Sequence, residues 1–224
     1  MKFRKVDDAQ PVIRYLTEAI QTHLDTGERV AWIVPGGSAI YIAAMVSQNL
    51  ANTDTSRLSV TLTDERYGMP GHADSNWQQL IDGGFSLPNA HLYPVLRGKE
   101  VIDTVDDYRE ILRQVIEEAD YTIGLFGMGQ DGHIASLFPG HPALDEPISY
   151  AVIADNVPKP PPLRLTISPV AIRAVDEAVL YAAGPDKAEV ITKLRTALQP
   201  VEQPAQLLKL IKTTVFNDLI EEEI

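Results

Sequence analysis

Residues 30–50 read VAWIVPGGSAIYIAAMVSQNL, and this stretch decides the fold. Val30 to Val34 is a continuous apolar run, which is typical of a strand buried on both faces of a sheet. A Pro-Gly-Gly-Ser turn follows, and Ala39 to Leu50 is apolar on nearly every side, as a buried crossover helix would be. The order of strand, glycine turn and helix predicts a parallel α/β sheet.

The same alternation of strands and helices continues along the chain. Val12, Leu16, Ile20 and Leu24 recur at intervals of four, which predicts a helix with one buried face. Further strand patterns are found at 58–63, 121–126, 150–154, 163–167 and 178–183, and further helix patterns at 104–119 and after Ser168-Pro169 and Gly184. We therefore expect residues 1–224 to form a single α/β domain, with a mainly parallel, doubly wound (modified Rossmann-like) sheet flanked by helices.

Composition and charge narrow the class of protein. The chain has 224 residues, of which 45% are hydrophobic, and this is enough for one compact domain with a sizeable core. A formal net charge of −12 argues against a general surface for nucleic acid or anionic membranes, because both need clustered Lys and Arg. The chain has no cysteine, so disulfides, zinc-thiolate sites and thiol nucleophiles are excluded. No segment approaches about 20 apolar residues, and we expect a soluble cytoplasmic protein whose oligomeric state the sequence leaves open.

The most informative loop is GMGQDGH, residues 127–133, at the end of the predicted strand 121–126. Its glycines allow the backbone to approach a ligand closely, and His133 is the type of side chain best suited to move a proton near neutral pH. The loop also matches the dinucleotide spacing G-x-G-x-x-G, but that site needs a long following helix, and Pro139 leaves room for only a short one. Asp131 and His133 are therefore candidate catalytic residues, with a capping Asp and a packed His as the structural alternative.

Three other segments suit an anion. Gly36-Gly37-Ser38 at a helix start would direct backbone N–H groups and a hydroxyl at an anion, although the same residue types also fill ordinary turns. Lys187 lies in the first turn of a predicted helix and opposes its dipole unless an anion lies between them; otherwise it is a surface lysine. Arg164 lies within an apolar alternation, so its guanidinium must pair with a bound phosphate or carboxylate, or with an internal acid.

Asp64-Glu65-Arg66 follows the predicted strand 58–63, either as part of a site or as a merely polar strand end. The carboxyl ends of parallel strands lie at one edge of a sheet. Loops that follow different strands can therefore meet there although they are far apart in sequence.

Several segments, in their order along the chain, resemble the motif series of the 6-phosphogluconolactonases, which share a superfamily with the glucosamine-6-phosphate deaminases. They are Gly36-Gly37-Ser38, Asp64-Glu65-Arg66 with Asp74-Ser75-Asn76, the run 127–140, Arg164-Leu165-Thr166 and Gly184 to Ala188. The most specific of them is Asp-Gly-His followed by Ala-Ser-Leu-Phe-Pro-Gly. The resemblance covers roughly residues 30–190, and the two ends match only loosely.

The resemblance implies an activity. The family hydrolyses 6-phospho-D-glucono-1,5-lactone to 6-phosphogluconate in the oxidative pentose phosphate pathway, with no metal and no organic cofactor. A small phosphosugar lactone is thus the expected partner, and neither nucleic acid nor membrane is expected.

The resemblance also implies roles for individual residues. Lys187, Arg164 and the Gly36-Gly37-Ser38 loop would hold the 6-phosphate. His133 would be the general base for the attacking water, with Asp131 supporting the imidazole or a substrate hydroxyl. Asp64 and Arg66 would complete the pocket through sugar hydroxyls or the developing oxyanion.

The chain departs from the family pattern after Gly-Gly-Ser, where the family usually continues Thr-Pro and this chain has Ala39-Ile40. The sister deaminases typically carry a tyrosine and a glutamate where Arg66 and Phe138 stand here. These differences count against a glucosamine-6-phosphate deaminase or isomerase, which stays an alternative because it would use the same phosphate site. A non-catalytic sugar-phosphate binding protein is a second alternative, which would keep the anion site without the catalytic loop.

Overall fold

The computed structural model describes residues 1–223. Its strands are β1 Lys2–Lys5, β2 Val30–Val34, β3 Leu58–Leu62, β4 Asp64–Arg66, β5 His91–Leu92, β6 Tyr121–Gly127, β7 Ala151–Ala154, β8 Arg164–Ile167, β9 Glu177–Ala182, β10 Lys212–Asn217 and β11 Glu222–Glu223. Its α-helices are α1 Gln10–Asp25, α2 Ile40–Asn49, α3 Asn76–Asp82, α4 Val101–Glu117, α5 Pro169–Arg173 and α6 Ala188–Leu194. Segments of 3₁₀ helix cover Gly37–Ala39, Pro142–Asp145, Pro185–Lys187 and Pro204–Leu210.

The larger of two sheets has eight strands in the order β11-β1-β10-β9-β6-β2-β3-β5. Neighbouring strands are parallel except for β11, which is antiparallel to β1. β2 lies between β6 and β3, and all its residues are buried, as its apolar run predicts. The expected mainly parallel α/β sheet flanked by helices is confirmed.

The helices cover this sheet with apolar faces. α1 buries the four residues predicted to share its inner face, and α4 extends the predicted helix by beginning at Val101. α5 begins as expected, because the Ser168 hydroxyl accepts a hydrogen bond from the backbone N–H of Ala171 at 3.2 Å and Pro169 occupies the first turn. Within residues 1–223, no helix is both long enough and apolar enough to cross a bilayer.

The second, smaller sheet has three antiparallel strands in the order β4-β8-β7. Asp64-Glu65-Arg66 follow the strand predicted at 58–63, as expected, because β3 ends at Leu62; that the three residues form a strand of their own was not predicted. The predicted strands 150–154 and 163–167 also belong to this sheet and not to the parallel one. The segment between them contains no helix, and a loop of that kind joins antiparallel strands, whereas parallel strands need a longer crossover.

Thr63 joins the two sheets. Its backbone N–H donates to the carbonyl of Val34 at the end of β2, and its carbonyl accepts from the N–H of Ile167 in β8, both at 2.8 Å. The chain therefore passes from one sheet into the other at a single buried residue. This connection places the small sheet next to the carboxyl edge of the large one.

Candidate active site

A cavity of about 390 Å³ lies where the carboxyl edge of the large sheet meets the small sheet. Its walls come from the loops after β2, β6 and β9, from β4 and β8, and from the loop before β8. Asp131 does not line the cavity and contacts it through His133. The predicted site residues that do line it are Gly36, Gly37, Ser38, Asp64, Arg66, His133, Arg164 and Lys187.

The His133 imidazole is held between Asp131 and Phe138. Its Nδ1 contacts Oδ1 of Asp131, and the His133 backbone N–H donates to the same oxygen at 3.2 Å. The ring stacks on Phe138 with centroids 4.4 Å apart and an interplanar angle of 27°. Its Nε2 has no hydrogen-bond partner within residues 1–223. When Nδ1–H is donated to the carboxylate, Nε2 is the nitrogen left to take a proton from a molecule in the cavity.

The Asp131 carboxylate is held in its charged form. Burial acts to raise its pKa, but this is outweighed by the hydrogen bond and charge of the His133 side chain, the His133 backbone N–H and the charge of Lys159. The pKa of Asp131 is therefore well below the usual aspartate value. An ionised carboxylate at this position fixes the tautomer of the imidazole and stabilises its protonated form.

Gly129 makes room for the imidazole beside its own loop. The Gly129 N–H donates to the His133 carbonyl at 2.9 Å, and the Gly132 N–H donates to the Gly129 carbonyl at 3.0 Å. A Cβ on Gly129 would lie 2.0 Å from Nδ1 of His133, so any other residue would displace the ring. After this loop the structure has no α-helix before Pro169, and this excludes the dinucleotide interpretation of the glycine spacing.

One face of the small sheet provides a charged wall. β4 and β8 pair so that Asp64 lies opposite Thr166 and Arg66 lies opposite Arg164. Side chains in directly opposite positions share a face, where like charges repel. Burial lowers the pKa of Arg164, while the charge of Asp64 acts to raise it and the charge of Arg66 lowers it further. An anion in the cavity would stabilise this pair of arginines.

The Arg164 guanidinium is largely occupied by the chain itself. Its Nε donates to the Pro161 carbonyl at 3.1 Å, and its Nη2 donates to the Lys159 and Pro160 carbonyls at 3.2 and 3.1 Å. Its Nη1 donates to Oγ of Ser136 at 3.4 Å. Within residues 1–223 it forms no ion pair at 4.0 Å or less, so the structural ion pair considered for it is not found there. Its hydrogen bonds hold the loop that precedes β8.

Asp64 and Gly36 are fixed by their neighbours. The Asp64 carboxylate accepts hydrogen bonds from Oγ1 of Thr63 at 3.0 Å and Oγ of Ser136 at 2.7 Å. Asn76, the first residue of α3, donates from Nδ2 to the Asp64 carbonyl at 2.8 Å. A Cβ on Gly36 would lie 2.0 Å from Oδ1 of Asn76, so only glycine fits there. These contacts fix the Gly36 loop relative to β4.

The loops after β2 and β9 come from the two strands that flank β6. The Gly36-Gly37-Ser38 loop leads through a 3₁₀ segment into α2. Lys187 ends the 3₁₀ segment after β9, with its Nζ 3.4 Å from Oδ2 of Asp186. That carboxylate also accepts a hydrogen bond from Nε2 of Gln130 at 2.8 Å. The loops after β6 and β9 are thus tied to each other.

The cavity is cationic although the protein is acidic. Its lining contains Arg66, Lys159, Arg164 and Lys187 but a single carboxylate, Asp64, whereas the whole chain carries a formal charge of −12. Within residues 1–223, no group of three or more His, Asp or Glu side chains is placed to hold a metal ion. The arrangement suits a small anionic substrate and proton transfer at the histidine.

Three residues of the site were not predicted from the sequence. Ser136 bridges Asp64 and Arg164, and Asn76 packs against Gly36; both occur in the motifs that carry the family resemblance. Lys159 lines the cavity from a proline-rich turn. The sequence signal that could have identified Lys159 is its position as the one cation among the four prolines of residues 158–162, just before the strand that carries Arg164.

Comparison with known proteins gives a family match. Residues 5–216 match the model of the family described as glucosamine-6-phosphate isomerases/6-phosphogluconolactonase. A relative from Oryza sativa subsp. indica, named "Probable 6-phosphogluconolactonase 4, chloroplastic", is 30% identical over 202 residues, which cover 83% of this chain and 61% of the relative. This chain thus spans about three fifths of the length of that curated relative.

Two solved structures have a similar fold. A 6-phosphogluconolactonase from Shewanella baltica gives a TM-score of 0.81 at 22% identity, with 97% of each chain covered. A monomeric glucosamine-6-phosphate deaminase gives a TM-score of 0.79 at 19% identity, with 98% of each chain covered. At these identities the similarity shows the fold alone.

Proposed function

The chain belongs to the family of glucosamine-6-phosphate isomerases and 6-phosphogluconolactonases, and from this premise we propose that it is a 6-phosphogluconolactonase. The reaction is the hydrolysis of 6-phospho-D-glucono-1,5-lactone to 6-phosphogluconate, a step of the oxidative pentose phosphate pathway. The name of the rice relative supports this choice within the family.

The observation that carries the proposal is the combination of charge and base in one cavity. Among residues 1–223, four cationic side chains and one carboxylate line it, and Nε2 of His133 has no hydrogen-bond partner, so it can accept a proton there. A phosphorylated lactone presents an anionic group at one end and an electrophilic carbonyl at the other. Cations recognise the first, and a general base activates water for the second.

In the proposed mechanism His133 is the general base. Nε2 takes a proton from water as the water oxygen bonds to C1, and the carbonyl electrons move onto the C1 oxygen. When the tetrahedral intermediate collapses, the bond between C1 and the ring oxygen breaks, and the imidazolium returns its proton to that oxygen. The Asp131 carboxylate stabilises the imidazolium between the two transfers.

The proposed binding roles follow the two walls of the cavity. Lys187 and the Gly36-Gly37-Ser38 loop hold the 6-phosphate at the edge of the large sheet, with the charge of Arg164 adding to the attraction. Asp64 and Arg66, on the face of the small sheet, contact sugar hydroxyls or the developing oxyanion. No metal or organic cofactor takes part in these steps.

The sister activity in the family is sugar-phosphate isomerisation with deamination. Phe138 stands where the deaminases typically carry a glutamate, and it stacks on His133. Within residues 1–223, Asp131 is the only acidic residue in contact with His133. An imidazole paired with one carboxylate is suited to take a proton from water. A non-catalytic sugar-phosphate binding protein would need neither residue of the pair.

The test is acid release from freshly generated 6-phosphogluconolactone, corrected for its spontaneous hydrolysis. We expect the purified protein to accelerate acid release, and EDTA to leave the rate unchanged. Loss of activity on chelation, restored by a divalent ion, would contradict the metal-free mechanism. Turnover of glucosamine 6-phosphate without lactone hydrolysis would establish the sister activity, and tight binding of 6-phosphogluconate without turnover of either substrate would indicate a binding protein.

A further inference from the structure

The loop between β7 and β8 carries a cation that none of the roles above uses. Lys159 lies in this loop and lines the cavity. We propose that Lys159 is a second catalytic residue, whose ammonium group binds the C1 oxygen of the lactone, and that Arg164 is the positioning residue that holds it there. This inference rests on the proposed lactonase function.

Arg164 fixes the backbone of the loop on which Lys159 stands. Its guanidinium donates to the carbonyls of three consecutive residues, Lys159, Pro160 and Pro161. Arg164 itself is nearly buried in β8 and is anchored to Ser136. With the bond to Ser136 the guanidinium makes four hydrogen bonds from one planar group, whereas a lysine ammonium has three donors and lacks the planar shape. The backbone at Lys159 is therefore fixed from inside the site.

The side chain of Lys159 is left available for a ligand. It forms no ion pair at 4.0 Å or less within the described part of the chain, and the residue is exposed at the cavity. The Arg164 guanidinium, which holds the Lys159 carbonyl, lies 5.8 Å from the centre of the Phe138 ring, and this ring stacks on His133. The charge of Lys159 also contributes to the lowered pKa of Asp131. The carboxylate of Asp131 contacts His133. Lys159 is thus on the side of the cavity where the general base lies.

This location assigns Lys159 to the reacting end of the substrate. Water activated by His133 must attack C1, so C1 lies beside the imidazole and the C1 oxygen acquires negative charge there. A cation positioned before the reaction stabilises charge that develops in the transition state. Lys187, by contrast, follows β9 at the edge of the large sheet, where the proposed phosphate site lies, whereas Lys159 stands on the loop that precedes β8 of the small sheet. The two lysines therefore serve different ends of the substrate.

The experiment compares two lysine variants on two substrates. We expect Lys159→Gln to lower kcat/KM by about 10- to 100-fold, the range of a hydrogen bond to a charged group, on both 6-phosphogluconolactone and unphosphorylated gluconolactone. Lys187→Gln should lower it for the phosphorylated lactone alone. Lys193→Gln is the matched control, because Lys193 pairs with Glu189 on the surface of α6 and does not line the cavity.

The positioning role of Arg164 is tested by coupling. If Arg164 acts through Lys159, then Arg164→Lys should lower kcat on unphosphorylated gluconolactone, where attraction of the phosphate plays no part, and adding Lys159→Gln should cause little further loss on that substrate. A merely structural role for Arg164 would instead give losses that multiply. Lys159 is exposed, so its single variant keeps the test informative even if the Arg164 variants do not fold.

Each outcome either supports or overturns the inference. An effect of Lys159→Gln confined to the phosphorylated lactone would make Lys159 a phosphate ligand and overturn it. Normal activity of Lys159→Gln, beside an active wild type, would overturn it and leave the proposed function intact. A wild type that does not accelerate acid release would overturn both.

Discussion

The two sheets contribute to the cavity in different ways. The large sheet contributes the loops that follow its strands, such as those with Gly36 and His133, and Gly127 at the end of β6, while the rest of its strands form the core. The small sheet contributes side chains from within its strands, because Asp64, Arg66 and Arg164 all belong to β4 or β8. Asp64 and Arg164 are buried and are joined through Ser136, whereas Ser38, His133 and Lys187 reach the cavity from loops at the edge of the large sheet.

This difference between the two sheets predicts where a substitution will change activity and stability together. A loop residue at the edge of the large sheet can change without altering the hydrogen bonds of that sheet. The polar residues Asp64, Arg164 and Thr166 of the small sheet all bond to Ser136, which follows β6, so each of them supports its neighbours as well as the cavity. We expect substitutions of the side chains that reach the cavity from the loops, such as His133 and Lys187, to change catalysis alone, and substitutions in the small sheet to change catalysis and folding together.

The largest change in catalysis is expected at His133, which tests whether a loop side chain affects the rate without affecting stability. Replacing His133 by Ala should lower kcat by about 10²- to 10⁴-fold, the usual contribution of a general base. Binding of 6-phosphogluconate, measured by calorimetry, should stay within a fewfold of wild type, and Tm should change little. His91→Ala, an exposed histidine of β5, is the control. Near-normal turnover of a folded His133→Ala protein would show that the base lies elsewhere, with Asp64 the next group to test.

Lys187, in the loop after β9, is a second test of whether a loop side chain affects binding without affecting stability. Lys187→Ala should raise KM for the phosphorylated lactone by about 10- to 100-fold, because a hydrogen bond to a charged group is lost, and should leave Tm unchanged. Kinetics on unphosphorylated gluconolactone provide the control, since no phosphate is present. Equal losses on both substrates would mean that Lys187 supports the sugar pocket or the fold.

The matching test in the small sheet is Thr166→Val. Oγ1 of Thr166 accepts a hydrogen bond from the backbone N–H of Ser136 at 3.1 Å, and valine would leave that buried donor unpaired. We expect the free energy of unfolding to fall by about 1–3 kcal/mol, together with kcat/KM, in denaturant titrations and lactone assays on the same protein.

The control for that variant comes from the large sheet. Thr122→Val removes the hydroxyl of a buried threonine in β6 that has no side-chain hydrogen bond within residues 1–223. Its unfolding free energy and activity should both stay near wild type. If Thr166→Val lost stability but kept full activity, the proposed coupling in the small sheet would be wrong.

The smallest effect is expected at Asp131. Asp131→Asn should lower kcat by about tenfold, a smaller form of the His133 defect, because the imidazole loses a charged partner. The folded pKa of Asp131 lies below its unfolded value, so its contribution to stability is present above the unfolded pKa and is lost as pH falls. The difference in unfolding free energy between wild type and Asp131→Asn should therefore shrink below about pH 4. A difference that grows with acidity would contradict the direction of this shift.

Much of the large sheet could be predicted from the sequence because its strands are buried on both faces. β2, β6 and β9 are apolar runs, and each is followed by glycine or polar residues, so the parallel arrangement predicts that their loops meet. β1 and β10 were not predicted, since KFRK and KTTVFN alternate polar and apolar residues too briefly to be distinguished from loop.

The small sheet could not be predicted in the same way. β4 consists of Asp64, Glu65 and Arg66, and no pattern of propensity or hydrophobicity makes such a segment a strand. Its strand conformation depends on β8, which pairs with it from about a hundred residues further along the chain. The sequence therefore indicated that Arg164 needs a partner, but its partners include the backbone carbonyls of residues 159–161, and no pattern of side chains identifies a carbonyl as the acceptor.

The position of β1 has a consequence for how this chain folds during synthesis. β1 lies between β10 and β11, with Phe3 buried opposite Val215, and the Lys5 N–H donates to Glu221, 216 residues away in sequence. At a synthesis rate of about 5–20 residues per second, the segments that pair with β1 are synthesised roughly 10 to 40 s after β1 itself. We expect the strands that carry the site to pair first and β1 to dock last. A chain that lacked β1 would expose β10 as a sheet edge and would be prone to pair with other chains.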